Sequence, residues 1–494
     1  MNPAPEGGDI AALAKGGRTN FIGFLLRLAA RIPFLFIAAR FYGPEEMGKL
    51  TSALVAIELA SQLATFGQKR GLAVRLASGD QDDAHAVADA MVLSTLLGAI
   101  FTVFLFLFPG LIFPKAAPTE IDLLLPLSII PYTLTDISLA ALAFRFDVGA
   151  TVKARSLVEP WALSLMAAAA MFLAPHSGLT LAYNVSIFAA GIYAVFILLD
   201  AYGAPRGWAP HPGRTLKLAL ENAPLAMADM VEWGTRRIDV ALLTVFASPT
   251  AVGVYYFAQQ VASLPQKLKT SFEPILGPVI TRNLKEQNYA AIAKQVCQVG
   301  FWITAMQAGV ALALGIPGEA IMGLGGPEFV GGTGALAFLL VAEVLAATAV
   351  VSEAALIYMA RIKNLWVSLF TISLQAALTA AIMLAIQRYH KPELWYSAGA
   401  ASALMLTLGT ASLIKSRLLS RILHQPINNW RWALIWAAAP AMVVGWIAVQ
   451  LPEWAELAFG VPAILGVYGW MIWNKGFGPE DRLLFRKGVA PQEA

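Results

Sequence analysis

Cysteine occurs once in 494 residues, at Cys297. One thiol excludes an internal disulfide framework and a multi-cysteine metal site. The five histidines, at 85, 176, 211, 390 and 424, form no H-E-x-x-H and no ligand spacing. No G-x-x-x-x-G-K-S/T occurs, so nothing suggests an internal ATPase motor. The glycine-rich Gly323–Gly332, "GLGGPEFVGG", lacks the lysine and reads as a flexible loop. Charge is scarce as well: 13% of residues, against roughly 25% in soluble domains. The net charge of +4 is spread over many short loops, so no nucleic-acid partner is expected.

Apolar residues fill the space that charge leaves. They make up 58% of the chain, and the mean hydropathy is +0.65. This composition predicts an all-α polytopic membrane protein of about fourteen transmembrane helices. Spanning-length runs fall near 20–39, 47–66, 87–108, 121–143, 156–174, 179–199, 216–246, 250–272, 296–315, 333–351, 364–386, 395–414, 432–450 and 455–473. The 216–246 run is longer than a bilayer needs and should tilt, kink or project. Tyr42, Trp395, Trp430 and Trp454, near span ends, read as interface anchors.

Loop charge sets orientation. With the N-terminus inside, about 24 loop lysines and arginines fall on the cytoplasmic face. Five fall outside: Arg40, Lys49, Lys115, Arg388 and Lys391. Both termini are therefore expected in the cytoplasm. Lys15 and Arg18 precede a first span broken by Arg27 and Arg31, which reads as retained rather than as a cleaved signal peptide.

The longest polar connection, roughly 200–215, is rich in proline and glycine and lies mid-chain. The segments either side of it look related. "FYGPEEMGKLTSALVAIELASQLAT" from Phe41 aligns with "FASPTAVGVYYFAQQVASLPQKLKT" from Phe246. At constant offset Pro44 meets Pro249, Gly48 meets Gly253, Ala53 meets Ala258 and Leu59 meets Leu264. The expected organisation is two pseudo-symmetric six-helix bundles, 1–205 and 206–424, followed by two helices and a tail over 425–494. Parallel repeats of this kind are related by an axis along the membrane normal and place a binding site at mid-depth between the halves.

Charges inside the spans need a reason, because an arginine near a helix centre costs roughly 2.5–3.5 kcal/mol on insertion scales. Arg27 and Arg31, four residues apart, share a helix face. The repeat offset sets Arg31 opposite Arg236 and Arg27 opposite Glu232. Asn222, Asp229 and Arg236, spaced by seven, form with Glu232 a polar stripe on an otherwise apolar helix. Such a stripe should face a cavity or another polar helix, and matching charged helices in the two halves suit a water-filled cleft between them. Guanidinium forks there suit phosphate or carboxylate oxygens. Arg27, Arg31, Arg236 and Arg237 are the candidate substrate-binding residues. The alternative is mutual pairing: Arg27 or Arg31 with Glu58 or Asp136, and Glu232 with Arg236 at i, i+4. Asp136, Glu58, Asp229 and Glu232 are candidates for charge balance or for binding a coupling proton or Na⁺. Asp136, the least obviously paired, is the first choice for coupling. No metal and no other cofactor is expected.

The run "ARFYGPEEMGKLTSALVAIELASQLATFGQKRGLAVRLA" resembles the first-to-second helix region of Wzx-type oligosaccharide flippases. These belong to the multidrug/oligosaccharidyl-lipid/polysaccharide (MOP) exporter superfamily. "RRIDVALLTVFASPTAVGVYYFAQQVASLPQKL" and the ending "GPEDRLLFRK" are similar to other parts of that family. The resemblance implies two six-helix bundles plus two helices, a central cationic cavity and alternating access. It implies as cargo an oligosaccharide repeat unit on polyprenyl pyrophosphate, moved across the bacterial inner membrane beside polysaccharide polymerase machinery. The turn after the first helix lacks the run of the lipid II branch, so a capsule, exopolysaccharide or O-antigen unit is favoured. Two other readings stay open. One is a cation-coupled multidrug exporter of the same superfamily. The other is an integral-membrane polymerase or ligase, though the longest outer loop, near 316–332, has Glu319 and Glu328 but no Arg, Lys or His.

Overall fold

A computed structural model describes residues 32–79, 81–269, 280–478 and 481. Among them there are helices and turns but no strand, so the chain is all-α as expected. Ten helical segments among the described residues are long and apolar enough to cross a membrane, from Ile32–Ser78 to Glu453–Gly476. The protein is a multi-pass membrane protein. Three further helices lie in the expected spans. Pro212–Phe246 and Pro249–Lys269 are long but more polar, and Trp432–Ala448 is apolar but only 17 residues. Most of the first expected span, 20–39, lies outside the described residues.

The main helices are α1 (Gly43–Thr65), α2 (Gln68–Ser78), α3 (Asp83–Leu107), α4 (Ile129–Phe144), α5 (Glu159–Leu173), α6 (Gly178–Tyr202) and α7 (Pro212–Phe246). They continue with α8 (Pro249–Lys269), α9 (Tyr289–Gly315), α10 (Thr333–Met359), α11 (Arg361–Arg388), α12 (Leu394–Leu423), α13 (Trp432–Ala448) and α14 (Val461–Met471). Local chemistry sets several starts. The Asp82 carboxylate caps α3 by accepting from the Ala84 and His85 amides, and Asn288 caps α9 by accepting from Ala291. Proline stands at the first turn of α1 and α7, where no amide is needed. Phe172, Ile192, Phe196, Trp436 and Trp446 stand exposed on their helices, which suits lipid and not water. Trp395, Trp430 and Trp454 are exposed too, as interface anchors require. Tyr42 is not: it is buried, and its hydroxyl donates to the Ala167 carbonyl at 2.7 Å.

The chain forms two compact units. One comprises the described residues up to Phe257 together with Met383–Ser397; the other comprises Ala258–Ile382 and the described residues from Ala398. The expected boundary near 205 follows the sequence repeat, whereas these units follow contacts. In the first, α6 packs on α4 and α5, α3 on α4, and α7 on α1 and α2. Leu72, Val87, Ile137, Leu142 and Leu198 form a buried core there. In the second, α9 packs against α10 on one side and α13 and α14 on another, around Phe301, Leu434, Ile464 and Tyr468. Asp481 closes that unit. Its carboxylate accepts from Gln298, Trp302, Arg431 and the Gly478 amide at 2.9–3.0 Å. Burial opposes ionisation of Asp481, but these donors, Arg431 foremost, hold its carboxyl below the usual range.

The repeated turn has a counterpart in space. A Cβ on Gly48 would fall 1.6 Å from the Pro249 carbonyl oxygen, and one on Gly253 would fall 1.8 Å from that of Pro44. The two residue pairs matched by the sequence offset therefore meet each other reciprocally, as a two-fold axis between α1 and α8 would require.

Candidate functional site: ion pairs around a charged membrane-length helix

The site is built on α7, whose 35 residues carry Asn222, Asp229, Glu232, Arg236 and Arg237. Its neighbours are placed by a break in the preceding helices. Phe66 and Gly67 both adopt left-handed backbone conformations, φ 50° and 72°, and turn the chain from α1 into α2. Gly71 then lets α2 lie directly on α7, since a Cβ there would sit 1.8 Å from the Asn222 side-chain oxygen. This geometry delivers Lys69 and Arg70 to the carboxylates.

Arg70 reaches Glu232 at 2.7 Å and Asp229 at 3.5 Å. Glu232 also receives Arg236 at 2.6 Å, one turn along α7. Arg237, on a different side of the helix, pairs with Glu58 of α1 at 2.6 Å. On α4, Asp136 is clamped by two cations, Lys69 and Arg155. Arg155 also holds Glu159 at 2.6 Å and lies 4.8 Å over the Tyr132 ring. Lys69, Arg70, Arg155, Arg236 and Arg237 thus each have a carboxylate partner among Glu58, Asp136, Glu159, Asp229 and Glu232. Exposure separates them. The Arg236 side chain is 72% exposed and Arg70 49%, while Arg237 is 29%. Asp229 is buried, and its second carboxylate oxygen has no hydrogen-bond partner among the described residues.

Six of the eight charged residues singled out in the sequence therefore lie in this network: Glu58, Asp136, Asp229, Glu232, Arg236 and Arg237. Arg27 and Arg31 lie outside the described residues. Glu232 and Arg236 do pair at i, i+4, and Glu58 pairs with Arg237. Asp136, expected to be the least paired, holds two cations. Lys69, Arg70 and Arg155 were missed, because a cation at a span end reads as a loop charge. Gly67 and Gly71, two small residues flanking the Lys69–Arg70 pair, were the available signal.

A family model for "Polysaccharide biosynthesis protein" matches residues 19–284, more than half of the chain. The chain belongs to the polysaccharide biosynthesis protein family. The match spans the whole charged network of this family member, from Glu58 to Arg237. No curated protein matches the chain. Solved structures of similar fold include the lipid II flippase MurJ in an inward closed conformation, at TM-score 0.71 and 12% identity, covering 94% of this chain and 100% of that one. A multidrug resistance MATE family transporter of the MOP superfamily, inward-facing, gives TM-score 0.63 at 13% identity, with 81% and 98% covered. A MOP superfamily transporter from Pyrococcus furiosus gives 0.57 at 12% identity, with 84% and 95% covered. This polysaccharide biosynthesis protein thus has the expected MOP-superfamily fold.

Proposed function

We propose that the protein moves a lipid-linked oligosaccharide repeat unit across the bacterial inner membrane, for exopolysaccharide, capsule or O-antigen synthesis. The role is transport rather than catalysis. One observation carries the reading: a single carboxylate, Glu232, is shared by two exposed guanidiniums, Arg70 and Arg236. A pyrophosphate offers more charge and more acceptor oxygens than Glu232 and can take its place on both forks. Its negative charge then crosses the membrane paired, which avoids the cost of an isolated ion in lipid. Arg27, Arg31 and Arg237 complete the proposed cationic set. Family membership supports the saccharide cargo, and the fold shared with MurJ supports a lipid carrier. Both termini are placed in the cytoplasm on loop charge alone, with a polymerising enzyme as the outer-face partner.

Coupling to H⁺ or Na⁺ is assigned to Asp229 in preference to Asp136. Asp136 is already neutralised by two cations, which suits charge balance. Asp229 is buried with one oxygen unpartnered, and a proton or Na⁺ would satisfy it.

The test is transport in proteoliposomes by wild type, Arg236→Gln and Arg31→Ala. The readout is the appearance of a pyrophosphate-linked oligosaccharide lipid in the opposite leaflet, beside a cationic dye. Lipid movement by wild type, lost in the folded variants with dye ignored, is the expected result. Dye movement without lipid movement would replace this reading with drug export.

A further inference from the structure

A polar cavity lies in the first unit, at the far end of α7. From Arg236 to Phe246 is ten residues, about 15 Å along a helix axis. The cavity measures about 470 Å³, within the roughly 300–1,000 Å³ typical of small-ligand sites. Lys115, Ser248, His390, Lys391, Glu393 and Tyr396 contribute to its wall. All but Tyr396, which stands in the first turn of α12, come from three separate connections: α3–α4, α7–α8 and α11–α12. Loop charge assigns all three connections to the outer face.

Several of these groups are held in position. The Lys115 ammonium donates to the Phe246 carbonyl at 2.5 Å, one of the free carbonyls at the end of α7. The Ser248 hydroxyl donates to Glu393 at 2.6 Å. The Lys391 ammonium lies 5.6 Å from the Trp395 ring centre. His390 closes α11 in the left-handed region, φ 48°, with the Lys391 amide bonded to the Ile386 carbonyl and its own to Gln387. Glycine would sit there with less strain, so a histidine at the cavity wall is a costly choice.

The composition of the wall selects a ligand class. Two lysines and a histidine suit an anion. A bare phosphate, however, carries more negative charge toward Glu393 than a single carboxylate and has no hydroxyl on a sugar ring to donate to it. A neutral sugar would make no use of two ammonium groups. A carboxylate-bearing sugar uses both sides: its acid meets the lysines, and its hydroxyls donate to Glu393 while Tyr396 packs on its ring face. We propose that this cavity binds an acidic sugar of the saccharide cargo on the exit side. The cargo role rests on the transport function proposed above.

The test uses the full chain in nanodiscs and saturation-transfer NMR with three probes: digalacturonate, lactose and inorganic pyrophosphate. Digalacturonate is expected to bind at least tenfold tighter than lactose. Lys391→Gln, an exposed change with no ion pair among the described residues, should weaken it at least fivefold, and Lys115→Gln with Lys391→Gln should abolish it. Unchanged binding in Lys391→Gln, or equal binding of lactose, would overturn the site. Pyrophosphate binding that is lost in the same variants would overturn the acidic-sugar assignment. Transport is measured separately. Digalacturonate binding without lipid transport by wild type would sink the transport reading and leave a sugar site. Transport without digalacturonate binding would sink the site alone.

Discussion

Arg237 of α7 reaches Glu58 of α1 at 2.6 Å, and both side chains are mostly shielded. Cutting one partner from such a pair strands the other charge in a poor solvent. Arg237→Gln should therefore destabilise the protein by about 3–5 kcal/mol. Removing both charges with Glu58→Gln and Arg237→Gln should restore most of that loss. Arg236→Gln, at an exposed pair, should cost at most about 1 kcal/mol. Thermal unfolding in one detergent orders the four proteins; equal losses for Arg236 and Arg237 would contradict the burial contrast.

Glu232 competes with any anionic ligand for Arg70 and Arg236. Glu232→Gln should free Arg236, leave Arg70 only its longer contact to Asp229, and tighten binding of soluble pyrophosphate about tenfold, with a steeper salt dependence. Titration calorimetry reads it directly. Unchanged affinity would mean that these forks do not contact the phosphates.

The sequence made much of the architecture legible, because long apolar runs leave little but helices as a way to satisfy the backbone in lipid. The stripe on α7 was readable for a related reason: few charges survive in such runs, so those that do stand out. Their partners were not readable. Asp136 meets Arg155 from 19 positions away, and Lys69 comes from a different helix altogether. Lys49 was read as an outer-loop charge, yet it is buried against Asp122. Positive-charge counting sorts residues by position along the chain. It is blind to a left-handed turn such as Phe66–Gly67 that folds a span-end cation back onto the next helix.

Acid should loosen the second unit through Asp481. Its carboxyl is held below the usual value in the folded state, so the stabilisation is present above the unfolded pKa, about 3.9, and is lost as pH falls through the folded value. Asp481→Asn should lower Tm at pH 7, and its gap from wild type should narrow between about pH 5 and pH 3. A gap independent of pH would mean that hydrogen-bond geometry, not charge, carries the contribution.

Gly48→Ala places a methyl group 1.6 Å from a backbone oxygen that cannot swing aside, and the helices must part. A loss of at least about 2 kcal/mol is expected, typical of overpacking. Gly466→Ala, on α14 with nothing within 4 Å, should be neutral or slightly stabilising, because alanine is the better helix former. Unfolding of the two variants side by side checks the contrast.

The reciprocity of Gly48 and Gly253 also limits how the two repeats can diverge. Each glycine's freedom to change is set by the backbone of the other repeat, so neither copy of the turn can drift alone. A larger residue in one would have to be met by a shift of the proline carbonyl in the other. Of the positions matched between the repeats, Pro44, Gly48, Pro249 and Gly253 are held to one another by this contact.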